Sequence, residues 1–159
     1  MLKDLIKSGF GDAQDYNCGE RMIYGANIAY NMGLNEEQLR LFAGYGGGMG
    51  VGEMCGAIDS ACAIISWYFV LDHANEALPD GRKYIIKPKL KEYQERYAKK
   101  MDCYVATCSR LKELYRNPVD KCSKVIYGAA ELLDEFLLEH ADEMPNPELR
   151  AQFLAAAGK

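Results

Sequence analysis

The stretch Gly44-Tyr45-Gly46-Gly47-Gly48-Met49-Gly50-Val51-Gly52-Glu53-Met54-Cys55-Gly56 holds seven of the chain's fifteen glycines, and an almost unbroken apolar run follows it. A glycine inside a helix costs about 1 kcal/mol relative to alanine, so this stretch is not a helix interior. It is not a featureless linker either, because Tyr45, Met49, Val51 and Met54 are interleaved with the glycines. The pattern predicts a tightly turned loop with positive φ angles or close backbone approach. Beyond it, a helix is expected from about Met54 to Ala74. Ala57, Ala61, Ile64, Ile65, Tyr68 and Leu71 form its broad apolar face. A helix so apolar around its circumference belongs at the centre of a bundle.

Working outward, Cys18, Met22, Ala26, Ala29 and Gly33 fall on one helical face, which predicts a first helix over about Asp12 to Met32 with Gly33 as its stop. Asn35 and Gln38 have the spacing of a capping box and open a short second helix ending near Gly44. Downstream, Leu78 to Lys87 reads as a connector turning at Pro79-Asp80-Gly81, with Tyr84-Ile85-Ile86 as a short strand. Pro88 suits the first turn of a fourth helix through Leu90, Tyr93, Tyr97 and Met101. Met101 to Tyr115 continues that helix or forms another, and Pro118 punctuates it. Asp120 is expected to cap a long helix to about His140, and Asn146-Pro147-Glu148 to open a last one. The expectation is an all-α, single-domain bundle over residues 1–159, of about five or six helices, with the glycine loop between the second and third.

With 49% hydrophobic and 26% charged residues, the 159-residue composition is that of an ordinary globular protein. A net charge of −4 argues against binding nucleic-acid phosphates. No run reaches the roughly 18–20 apolar residues that cross a bilayer, so no membrane insertion is expected. The first seven residues lack the apolar region of a signal peptide, which makes the cytoplasm the expected compartment. Thiols are reduced there, and six cysteines point to metal binding or redox chemistry rather than disulfides.

The cysteines are Cys18, Cys55, Cys62, Cys103, Cys108 and Cys122, separated by 36, 6, 40, 4 and 13 residues. No C-x-x-C occurs, which removes the local thioredoxin, zinc-ribbon and bacterial-ferredoxin templates. Any site must therefore be assembled by the fold. Cys55 follows the glycine loop at the start of a helix, where unpaired amides and the helix dipole favour a thiolate. The opposing reading is a small apolar side chain packed beneath the loop. Cys62 lies two turns further along, about 10.5 Å away, too far to share one ion with Cys55, and reads as core volume. Cys103 and Cys108 are poorly aligned on one helix. Cys108 and Cys122 flank the break at Asn117-Pro118, where the turn can bring them together.

These residues resemble the redox-active proteins named for their C_GCAxxG_C_C cysteine pattern, over about Asn17 to Leu133. Asn17-Cys18 is similar to that family's first cysteine at a helix start. Gly44 to Gly50 followed by Glu53-Met54-Cys55-Gly56-Ala57 resembles its glycine loop and second cysteine. Thr107-Cys108-Ser109-Arg110-Leu111 resembles the third and Lys121-Cys122 the fourth. Ser60 stands where the family pattern has a glycine, so a neighbouring helix is expected to sit slightly further away. The resemblance implies a redox or electron-transfer protein. Cys18, Cys55, Cys108 and Cys122 would hold a metal centre, an iron–sulfur cluster first and zinc as the alternative. Gly47, Gly48 and Gly56 would line the cofactor, with Cys55 the ligand most tuned by amides. A redox partner protein and a homodimer are further expectations.

Two other function classes compete. One is metal-free thiol redox or sensing, with Cys55 as the reactive thiol. The other is a non-enzymatic helical binding module whose cysteines fill the core. A nucleotide site is disfavoured, since no G-x-G-x-x-G frame fits and no Gly-Lys-Ser/Thr follows. His73 and His140 read as solvated helix ends. Tyr93 and Tyr97 read as packing residues, and Lys89 to Lys100 as a solvated charged face.

Overall fold

The computed structural model describes residues 1–70 and 82–159, with the side chains of 82–85 left aside. The expected turn at Pro79-Asp80-Gly81, residue His73 and the last turn of the third expected helix lie outside the described residues. What is described is helical, with two isolated backbone bridges and no strand among the described residues.

The chain opens with α1 (Leu2–Lys7), a short helix that the sequence pattern did not reveal. Turns through Gly9 and Gly11, both at positive φ, lead to α2 (Cys18–Ala29). This helix is shorter at both ends than the apolar periodicity implied. Asn17 starts it, because its side chain accepts from the amides of Gly19 and Glu20 while Glu20 bonds back to the Asn17 amide. The Asn35–Gln38 capping box forms as read, but α3 (Glu36–Leu39) is one turn only, and the chain continues as a 3-10 segment, Arg40–Tyr45.

After the glycine loop, α4 (Gly56–Phe69) has no exposed residue and packs against α2, α5 and α7, the central place expected of it. It ends at Phe69, since Val70 is extended. Next comes α5 (Arg82–Lys100), which takes in Tyr84-Ile85-Ile86; these residues are helix, not strand. Pro88 lies inside it rather than in its first turn, so the missing amide falls in the helix body. Tyr93 and Tyr97 are fully buried, and their hydroxyls donate to the carbonyls of Ala129 (2.9 Å) and Val125 (3.0 Å) on the facing helix.

A separate α6 (Cys108–Tyr115) follows, then α7 (Ser123–Glu139) and α8 (Pro147–Ala156). Asp120 does not cap α7. The Asn117 side chain takes the Asp120 amide, Lys121 turns at φ +49, and Cys122 stands at the N-cap. Asn146 and Pro147 open α8 as expected. The count is thus eight α-helices among the described residues, against five or six expected. None is long and apolar enough to cross a membrane.

Asp134, buried on α7, ties the N-terminal helix to the bundle. It accepts from the amides of Leu2 (3.1 Å) and Lys3 (3.0 Å), which α1 leaves unpaired, and from the Tyr30 hydroxyl (2.7 Å). Burial nevertheless pushes its carboxyl above the ordinary value. Replacing it with alanine orphans three donors, two of them buried, so Asp134→Ala should lower unfolding stability by about 3 kcal/mol. Tyr30→Phe, which deletes one bond, should cost about 1 kcal/mol in the same denaturant titration.

Candidate metal centre

Each of the four cysteines named by the sequence reading stands at the start of a helix. Cys18 and Cys108 are the first residues of α2 and α6, while Cys55 and Cys122 are the N-caps of α4 and α7. Amides there have no partner within the helix, and the dipole favours negative charge by roughly 0.3–1 kcal/mol per helix.

The glycine loop joins three of these starts, those of Cys18, Cys55 and Cys108. Gly47, Gly48, Met49, Gly50 and Gly52 all have positive φ, as the sequence predicted. The Gly47 amide donates to the Cys18 sulfur, together with the amides of Gly19 and Cys18 itself. A Cβ on Gly48 would stand 2.7 Å from the Cys108 Cβ. A Cβ on Gly56 would stand 2.9 Å from the Cys18 sulfur and would collide with the Tyr45 carbonyl. Gly48 and Gly56 are therefore the residues that let the loop press against two of the cysteines, while Gly47, open at its Cβ position, contributes its amide and a φ of +66. On the far side, Met54 and Thr107 form an antiparallel bridge, the Cys108 amide donates to the Glu53 carbonyl, and Ser109 Oγ donates to the Gly52 carbonyl at 2.9 Å.

Cys18 and Cys55 are in contact, the Cys55 thiol donating to the Cys18 sulfur. That bond and the converging amides bring the Cys18 thiol down to about 6, whereas donation and burial push Cys55 far up. This corrects the expectation that Cys55 is the activated thiol. The amides of Ala57 and Ile58 do favour its thiolate, but burial and the neighbouring Cys18 outweigh them. Cys108 is tied to the same loop, and half-buried Cys122 lies near enough for charge on Cys18 and Cys108 to raise it; burial is the larger cause. No three of these sulfurs lie within 4.8 Å of one another.

Cys62 and Cys103 stand apart. Burial and the adjacent Asp59 push Cys62 up to about 12, and the buried Cys103 thiol donates to the Val105 carbonyl at 3.0 Å. Ser60 is fully buried, and its hydroxyl donates to the Gly19 carbonyl at 3.0 Å, which fastens α4 to the first turn of α2.

The family described as "Putative redox-active protein (C_GCAxxG_C_C)" matches residues 16–136. The chain belongs to this family. No curated protein and no solved structure matches it. All four cysteines of the C_GCAxxG_C_C pattern fall inside the matched span, as do the glycine loop and Ser60.

A second cluster escaped the sequence reading. His140 is not a solvated end: its ring packs on Phe136 and its nitrogens lie 3.3 Å from Glu92 and 2.6 Å from Glu143. Glu92, Glu139 and His140 present ligand atoms within 4.8 Å, but Arg96 Nη1 already bridges Glu92 (3.2 Å) and Glu139 (2.9 Å). Lys89 likewise leaves the solvated face, lying over the Phe69 ring and pairing with Glu143 at 2.8 Å. The signal was the 48-residue separation of Glu92 and His140, which no local pattern exposes.

The sulfur chemistry has a measurable sign. Below a pH of about 6 the Cys18 thiol is protonated and slow; above it the thiolate persists. In metal-free protein, alkylation of Cys18 by iodoacetamide should therefore rise through a midpoint near 6, read by peptide mass mapping. Cys55→Ala removes the donor and should move that midpoint upward; an unmoved midpoint would contradict the thiol–thiolate pair.

Proposed function

We propose that this protein is a redox carrier in which Cys18, Cys55, Cys108 and Cys122 hold a metal centre, an iron–sulfur cluster before zinc, that exchanges electrons with a partner protein. The observation that carries this reading is that all four cysteines stand at helix starts, three of them, Cys18, Cys55 and Cys108, against one glycine loop. Four thiolates are what a cluster needs, and helix starts stabilise thiolates.

The donor set fits such a group. A single tetrahedral zinc with Zn–S bonds of about 2.3 Å brings its sulfurs to within about 3.8 Å of one another. No three of the four sulfurs lie that close to one another in this structure. A bound cluster would supply one-electron storage, at a potential set partly by hydrogen bonds to its sulfurs. The chain supplies those bonds from the amides of Gly19 and Gly47 at Cys18 and of Ala57 and Ile58 at Cys55.

A second reading has its own support in the Cys18–Cys55 contact. Oxidising that pair to a disulfide releases two electrons and, from one thiolate and one thiol, one proton; an external disulfide would accept them. The two readings part in one experiment on protein purified without oxygen. A visible charge-transfer spectrum, with iron and acid-labile sulfide in similar amounts, is expected. Cys→Ser at any of the four positions should diminish or alter it, while Cys62→Ser and Cys103→Ser should not. Colourless protein that stays so after anaerobic reconstitution would leave the dithiol.

A further inference from the structure

Residues 107–124 contain five basic side chains against two acidic ones, in a chain whose net charge is −4. This segment is α6, the elbow after it and the start of α7, and it contains both Cys108 and Cys122. Its cations are unevenly compensated. Arg110 pairs with Glu113 at 2.7 Å, and Lys121 comes within 3.8 Å of Asp15. Lys124 stands over the Tyr115 ring at 4.3 Å. Among the described residues, no carboxylate lies within 4 Å of the charged groups of Lys112 or Arg116.

The elbow is braced rather than loose. The Asn117 side chain accepts from the amides of Val119 (3.0 Å) and Asp120 (2.7 Å), and the Asn117 backbone bridges to Lys121. The brace holds Val119 85% exposed at the tip, with Leu114 39% exposed in the last turn of α6. An apolar tip among cations is the surface complement of an acidic face with an apolar centre. Cys122, half-buried at the base of the elbow, puts such a partner beside one of the four cysteines.

We infer that the α6–α7 elbow is the docking surface for an acidic redox protein, Val119 making the apolar contact and Lys112, Arg116 and Lys124 facing its carboxylates. The inference rests on the reading of the cysteines as a redox centre. The whole-chain charge and the local charge have opposite signs, so they predict opposite salt dependence.

The probes are ferricyanide, an anion, and hexaammineruthenium(III), a cation, each oxidising the reduced, loaded protein. Each takes one electron from the centre, with no atom or proton transferred. The ferricyanide rate should fall as salt is added, and the ruthenium rate should not. Reversing Lys112→Glu, Arg116→Glu and Lys124→Glu together should slow ferricyanide about tenfold at low salt, with the visible spectrum unchanged. Lys91→Glu on α5 is the control and should leave the rate as it was. Ferricyanide that speeds up with salt, or a triple variant no slower than the control, overturns the inference. Retention of the protein on single-stranded DNA at physiological salt also overturns it, since the surface would then serve phosphates. If the protein binds no metal, the reading of the centre fails first, and the surface is tested by thiol exchange at Cys122. There dianionic dithiobis(nitrobenzoate) should outpace neutral dithiodipyridine at low salt only; equal salt response would reject the surface as well.

Discussion

The helix start is the constraint on which the rest of this structure depends. Each helix leaves amides unpaired at its first turn, and something must satisfy them. At α1 the task falls to the Asp134 carboxylate, and at α2, α3 and α8 to asparagines. Cys55 and Cys122 stand at N-caps where no side-chain cap bond forms. At α4 the amides of Ala57 and Ile58 favour charge on the Cys55 sulfur.

The glycine loop makes the convergence sterically achievable. A side chain at Gly56 would run into the Tyr45 carbonyl and the Cys18 sulfur, and one at Gly48 into Cys108 and the Glu53 backbone. The loop thus brings backbone, not side chain, against the cysteines. Only backbone at that distance can deliver the Gly47 amide to Cys18. Ser60 extends the same logic to the helix pair. Its hydroxyl bonds α4 to the carbonyl of Gly19 beside Cys18. A helix surface with a hydroxyl in place of hydrogen still docks when the hydroxyl has an acceptor waiting.

Much of this was legible in sequence because its causes are local. Capping at Asn35 and Asn146, positive φ in the glycine run and the all-round apolarity of α4 are short-range properties, and the structure bears them out. The misreadings have a common source in distant contacts. Tyr84-Ile85-Ile86 looks like a strand by composition, yet lies in a helix that packs on α4 and α7. Pro88 suits a helix start by local preference, but packing carries the helix through it. α1 is too short to show a period, and its donors are met by a residue more than 130 positions away.

The thiols show the same division most sharply. From sequence, Cys55 had every local reason to be the thiolate: a helix start, a preceding glycine loop and free amides. The structure supplies those amides and still reverses the outcome, since a buried pair in contact shares one negative charge. Cys18 is the less buried partner and collects three backbone donors, so the charge resides there. Cys55 becomes the donor that steadies it. Activation of a thiol is therefore a property of the pair and its relative burial, and the residue with the strongest local signal can serve as the support for another.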